Sequence, residues 1–227
     1  MIKAVFLRKH GFPSPVTLHH WLLVSSGFSC LLLAARMIAT VSLEYIFLPW
    51  NLFLAFVPYW ITQLVTSRID IIENRWKLFL VVVVWLLFIP NAFYIITDLV
   101  HFTRVRSAPK WFDLLLIFSF AWNGIMFGIV SLRKVEVISA VIRGKHFSVM
   151  LVFAVMWLNA LGIYIGRYLR FNSWDIITDS FSLVSEISDL LFNPVQNGVA
   201  WGMTFCYAVF MTLLYLSVKK LGESFTG

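Results

Sequence analysis

The chain has 227 residues, of which 60% are hydrophobic and only 13% charged, with a mean hydropathy of +0.86 and a net charge of +7. Soluble domains are about 45–50% apolar and about 25% charged, so the composition excludes a soluble globular protein, a disordered chain and a disulfide-rich secreted domain. What remains is an all-α polytopic membrane protein. In that class the excess of Lys and Arg reflects a bias between loops, and no nucleic-acid partner is expected.

A helix needs about 20 mostly apolar residues to cross a bilayer. Six stretches qualify, at approximately 18–39, 47–65, 78–97, 112–131, 147–165 and 199–218. They make a single integral-membrane domain over 1–227, with no room for a soluble domain between spans. The first stretch follows Lys3, Arg8 and Lys9 as a signal peptide would. It is long, carries Arg36 near its far end and meets no small-x-small cleavage site, so it reads as a retained helix. Cys30 and Cys206 lie in apolar runs and are expected to be buried free thiols.

Six spans place both termini on one side. The loops of that side hold 12 Lys and Arg against 6 on the other, together the 18 of the sequence. The positive-inside rule then puts both termini in the cytoplasm. The opposite side carries Arg36, Arg104, Arg106, Lys110, Arg167 and Arg170.

The third span is the most informative. Asn91, Tyr94, Asp98 and His101 are separated by three, four and three residues, which puts all four on one helical face. A polar stripe facing lipid is costly, so this face is expected to look into the bundle or a wet cavity. Pro90 predicts a kink just before it. The second span carries Asn51 and Pro58 seven residues apart. In spans four and five, Gly124-x-x-x-Gly128 and Gly162-x-x-x-Gly166 fit close packing of these two spans. Asn123 and Asn159, at similar depth, are expected to hydrogen-bond across the same contact. Trp21, Trp50, Trp76, Trp111, Trp174 and Trp201 suit the interfacial belt, whereas Trp85, Trp122 and Trp157 read as interior packing residues. His19 and His20 sit at the inner interface and are not read as ligands.

The longest gap runs over 167–197 on the outer side. Within it, Asp175, Asp179, Ser182, Glu186 and Asp189 recur every three or four residues, and Ile177, Phe181, Val184, Ile187 and Leu191 follow on another face. The pattern predicts one amphipathic helix over about 174–192, capped by Asn172 or Ser173 and ended before Pro194.

Topology therefore brings Asp98, His101, Asp113, Arg167, Arg170 and Asp175 to one outward-facing region. Three readings of it compete. In the first, Asp98 pairs with Arg167 or Arg170 and pins the mouth of the bundle. In the second, Arg167 and Arg170 clamp a phosphate or carboxylate while Asp98 or Asp113 works with His101 on protons. In the third, Asp98 and His101 start a metal set completed by Asp113 and Asp175.

Three stretches resemble the signatures of an uncharacterised bacterial integral-membrane family, a domain of unknown function. They are Pro90-Asn91 with Tyr94, Thr97-Asp98 and His101; Trp111-Phe112-Asp113 with Ser119, Ala121-Trp122, Gly124, Gly128 and Ser131-Leu132; and the run from Gly166 through Arg167, Arg170, Asn172, Ser173 and Trp174 to Asp175. Phe93 stands where the family usually has a second proline. The resemblance implies a bacterial cytoplasmic-membrane protein and supplies no activity, metal or cofactor.

The expected function is an outward-facing polar site for a lipid-linked or anionic substrate. Asp98, His101 and Asp113 are its candidate catalytic groups. Asn91, Tyr94, Arg167, Arg170, Asn172 and Asp175 are its candidate binding groups. A small transporter or channel and a non-catalytic assembly protein are the alternatives.

Overall fold

A computed structural model describes residues 15–103, 108–171 and 175–225. Among these residues every regular element is helical: α1 (Pro15–Thr40), α2 (Phe47–Ser67), α3 (Ile69–Glu73), α4 (Arg75–Tyr94), α5 (Lys110–Arg143), α6 (Lys145–Tyr164), α7 (Asp175–Thr178), α8 (Ser180–Phe192) and α9 (Gly198–Ser224). A 3-10 segment, Ile95–Thr103, continues α4, and a π-helical turn, Ile165–Leu169, ends α6. The protein is an all-α, polytopic membrane-type fold.

Five helices are long and apolar enough to cross a membrane: α1, α4 with its 3-10 continuation, α5, α6 with its π turn, and α9. With 21 residues, α2 is long enough at about 1.5 Å per residue, but Asn51, Gln63, Pro49 and Pro58 dilute its apolarity. Its contacts join it to two other helical segments over about 12 Å of its length. Asn51, near its start, bonds Asp98, while Tyr59, just past its middle, bonds His19 of α1.

The centre of the bundle is α5. It packs against α1, α2, α4, α6 and α9. About 61% of its spanning window is buried, against 22–33% for the other four spans. The outward surfaces of those four are apolar, as a lipid-facing surface must be.

Several expectations are corrected by the packing. The two glycine pairs do not face each other. Both receive α4 instead. A Cβ on Gly128 would meet the Phe93 ring at 2.9 Å, one on Gly162 would meet Pro90 at 3.0 Å, and Gly124 lies against Ile95 and Ala92. Asn123 donates to Ser29 Oγ (3.1 Å) and Ser119 O (2.8 Å), not to Asn159. Trp85 is buried and donates to Ser131 Oγ (2.8 Å), but Trp122 and Trp157 are exposed on the apolar outside, as are Cys30 and Cys206. All four correct the same assumption, that a residue in the middle of a span faces inward. The sequence spacing shows which residues share a face, and not which face meets protein.

The outer amphipathic stretch is two helices, broken at Asp179 (φ −143°, ψ 52°). Leu183 and Leu190 of α8 are buried against the bundle, with Ile187 half-buried between them. Ile177, Phe181, Val184 and Leu191 form a separate, exposed apolar flank. The junction with α9 is tied by Trp201 Nε1 donating to Leu190 O (3.0 Å) and by Asn193 and Asn197 donating to the Asp189 carboxylate (2.6 and 3.0 Å). Asn172, Ser173 and Trp174 lie outside the described residues, as do Lys3, Arg8, Lys9, Arg104 and Arg106.

Candidate functional site

Three of the four residues singled out by spacing, Tyr94, Asp98 and His101, converge on one guanidinium. Arg167 projects from the π turn that ends α6. Its Nη1 lies 3.6 Å from Asp98 Oδ1 and donates to Tyr94 Oη at 3.4 Å, and its Nη2 lies 3.1 Å from His101 Nε2. Arg has only donors, so the imidazole presents the Nε2 lone pair to it. On the other side, Asn51 Nδ2 donates to Asp98 Oδ2 at 2.8 Å. Both oxygens of this buried carboxylate are therefore engaged, and the two opposite charges compensate each other.

Local backbone geometry explains the convergence. Pro90 lies inside α4 without ending it, and the helix runs on to Tyr94. The chain then tightens to 3-10 geometry, in which residues three apart eclipse. Asp98 and His101 thus point the same way, towards Arg167. The π turn supplies the facing side chain, and such turns recur at functional positions.

Beside this network lies a cavity of about 290 Å³. Its walls are Trp50, Asn51 and Leu54 of α2, Leu87, Pro90, Asn91 and Tyr94 of α4, and Gly162, Ile165 and Gly166 at the end of α6. Phe171, with Ile176 of α7 and Leu183 and Ile187 of α8, forms its roof. Both α2 and α6 pack on α4, and the cavity occupies the hollow over residues 87–94, about 10 Å along the helix. Gly162 and Gly166 keep this hollow open, since side chains there would project at Pro90 and Tyr94. The lining is mainly apolar, with Asn51, Asn91 and Tyr94 as polar groups. Asn91 also donates to Phe88 O at 3.1 Å.

The remaining candidates fall elsewhere. Asp113 belongs to a second network: Arg36 Nε donates to its Oδ1 at 2.7 Å, Arg36 Nη2 bonds Glu44 at 3.1 Å, and the guanidinium lies 4.4 Å over the Tyr45 ring. Tyr45 Oη reaches the His101 carbonyl at 3.5 Å, so the two networks abut without sharing a carboxylate. Arg170 is exposed in the left-handed region (φ 62°), next to the cavity-lining Phe171. Asp175 opens α7 and accepts from Thr178 Oγ1 at 2.9 Å. Asn172 is outside the described residues. Among the described residues no three His, Cys, Asp or Glu side chains converge as a metal would require.

Sequence reasoning missed the role of Arg36 as the partner of Asp113. It also missed the charge knot at the far end of the bundle. There Glu136 of α5 accepts from Arg133, from Tyr215 and, at 2.5 Å, from Lys219. Trp50 reads in the sequence only as an interfacial-belt residue, and Leu54, Phe171 and the two cavity glycines carry no signal beyond apolarity or helix packing.

The profile of a protein family of unknown function, DUF1361, matches residues 50–216, and the chain belongs to that family. The match takes in the whole cavity wall and the Arg167 network. No curated protein and no solved structure matches the chain significantly.

Proposed function

We propose that this DUF1361 chain binds an amphiphile from the outer leaflet of the bacterial cytoplasmic membrane, with its apolar chain in the hollow over α4. In this reading six helices cross the membrane, with α2 as the sixth, and both termini are cytoplasmic. The amphiphile's polar head lies near Asn51, Asn91 and Tyr94, and Arg170 beside the roof meets any anionic group the head carries. The observation that carries the reading is the cavity itself, which has an apolar body, a few convergent polar groups and a roof of amphipathic helices.

The geometry favours binding over catalysis. Asp98 and His101 face Arg167 rather than the cavity, and Asp113 is held by Arg36. Asp98, His101 and Arg167 then act as positioning residues. They hold Asn51 and Tyr94, which line the cavity, in place on two different helices.

A phospholipid with a photoactivatable diazirine on its acyl chain tests this in detergent micelles. Crosslinks are expected on Leu54, Leu87 or Ile165. Crosslinks confined to outward residues such as Phe79, Phe118 and Phe153 would overturn the reading.

A further inference from the structure

At the end of the bundle opposite the cavity, a half-buried cation has no carboxylate partner among the described residues. Lys134 of α5 is half-buried, and its Nζ lies 5.8 Å from the centroid of the Tyr59 ring. Among the described residues no carboxylate pairs with it. Its neighbours in sequence and space are treated differently. Arg133 and Lys219 share Glu136, Lys220 and Arg133 reach Glu223, and Lys77 takes Asp70. Glu73 is exposed on α3. The 14 residues before α1 contain Lys3, Arg8 and Lys9 and no Asp or Glu. A partly buried ammonium without a partner is unfavourable unless an anion completes it.

Its surroundings are built to receive one. Both α1 and α2 pack on α5, and His19 of α1 bonds Tyr59 of α2 through Nδ1 and the hydroxyl at 2.9 Å. This bridge fixes the Tyr59 ring that the ammonium approaches and links it to the His19 imidazole. Along α5, Lys134 follows Asp113 by 21 residues, or about 31 Å of helix. The hydrocarbon core is about 30 Å thick. With Asp113 at one boundary, Lys134 lies at headgroup depth at the other.

We propose that Lys134, with Tyr59 and His19 beside it, forms a binding site for a phosphate monoester or diester at the membrane face opposite the cavity. Lys is a point-charge phosphate binder. The phosphate comes either from an anionic phospholipid headgroup or from a soluble phosphate compound. The site is independent of the outer cavity, so either stands if the other fails.

Thermal unfolding in detergent distinguishes the sources. Phosphatidylglycerol, phosphatidylcholine and inorganic phosphate are each added to the wild type, Lys134→Gln and Lys134→Arg. Phosphatidylglycerol is expected to raise the wild-type and Lys134→Arg midpoints by a few degrees, to leave Lys134→Gln unmoved, and to act where phosphatidylcholine does not. Inorganic phosphate producing the same pattern would support the site and assign it to a soluble ligand. An equal rise in wild type and Lys134→Gln, or no rise in the wild type with either phosphate source, would overturn it. If Lys134→Gln does not fold, wild-type native mass spectra decide. Phosphatidylglycerol adducts that outlast phosphatidylcholine adducts are expected, and equal loss of the two contradicts the site.

Discussion

Arg167 is the residue on which the outer network depends, because three side chains from two turns of the 3-10 segment and the end of α4 reach it. Replacing it by Ala leaves Asp98 buried with only the Asn51 amide. Removing one partner of a buried pair is expected to cost about 3 kcal/mol, read as a lowered unfolding midpoint in detergent. Asp98→Asn, which keeps the shape and drops the charge, is expected to cost less than Arg167→Ala in the same assay. Asp113→Ala is expected to destabilise by a similar amount through Arg36, yet to leave crosslinking in the cavity unchanged. Loss of that crosslinking in a folded Asp113→Ala variant would join the two networks that the structure keeps apart. The convergence of Tyr94, Asp98 and His101 was legible because a three-four-three spacing fixes a helical face whatever surrounds it. The assignment of Asp113 was not, because spacing within one helix says nothing about which neighbouring helix supplies the cation.

Among the elements, α4 decides the shape of the site. Pro90, where the sequence predicts a kink, lies within a helix that continues to Tyr94, and five residues later, at Ile95, the chain tightens to 3-10 geometry. The glycines of α5 and α6 let α4 approach closely on two sides. Gly128→Leu is therefore expected to lower stability by about 1–3 kcal/mol through overpacking against Phe93. Gly202→Ala on α9, where a Cβ meets nothing within 4 Å, is expected to be neutral in the same denaturation assay. The small-residue motif was readable, but its partner helix was not, since close approach is signalled equally for any neighbour.

The joint between α8 and α9 offers a pH test. Asn197 and then Asn193 hydrogen-bond the Asp189 carboxylate and hold it below the usual aspartate range. A depressed folded value contributes stability above the unfolded value of about 3.9. That contribution is lost as pH falls through the lower folded value. A spin label on Val195→Cys, with Cys30 and Cys206 replaced by Ser, is expected to gain mobility only below about pH 4. In the Asp189→Asn background it is expected to be mobile at neutral pH as well. A label equally immobile in both would detach the joint from this carboxylate.

For the molecule as a whole, the polytopic helical architecture followed from composition and run length alone, because lipid forces backbone bonds to close within each span. The position of the cavity did not. It arises where α2 and α6 both lean on α4 under the roof of α7 and α8, a tertiary relation built from residues that read as ordinary core. The two ends of the bundle are chemically distinct: charge-compensated networks beside a cavity at one, and at the other a charge knot around Glu136 beside Lys134, which pairs with no carboxylate among the described residues. The most direct measurement is native mass spectrometry of the protein released from its own membranes, beside a Leu87→Trp variant that fills the hollow over α4. A bound amphiphile is predicted in the wild type and its loss in a variant that still unfolds cooperatively. The same adduct retained at the same occupancy in Leu87→Trp, or its absence from the wild type, would contradict the amphiphile site.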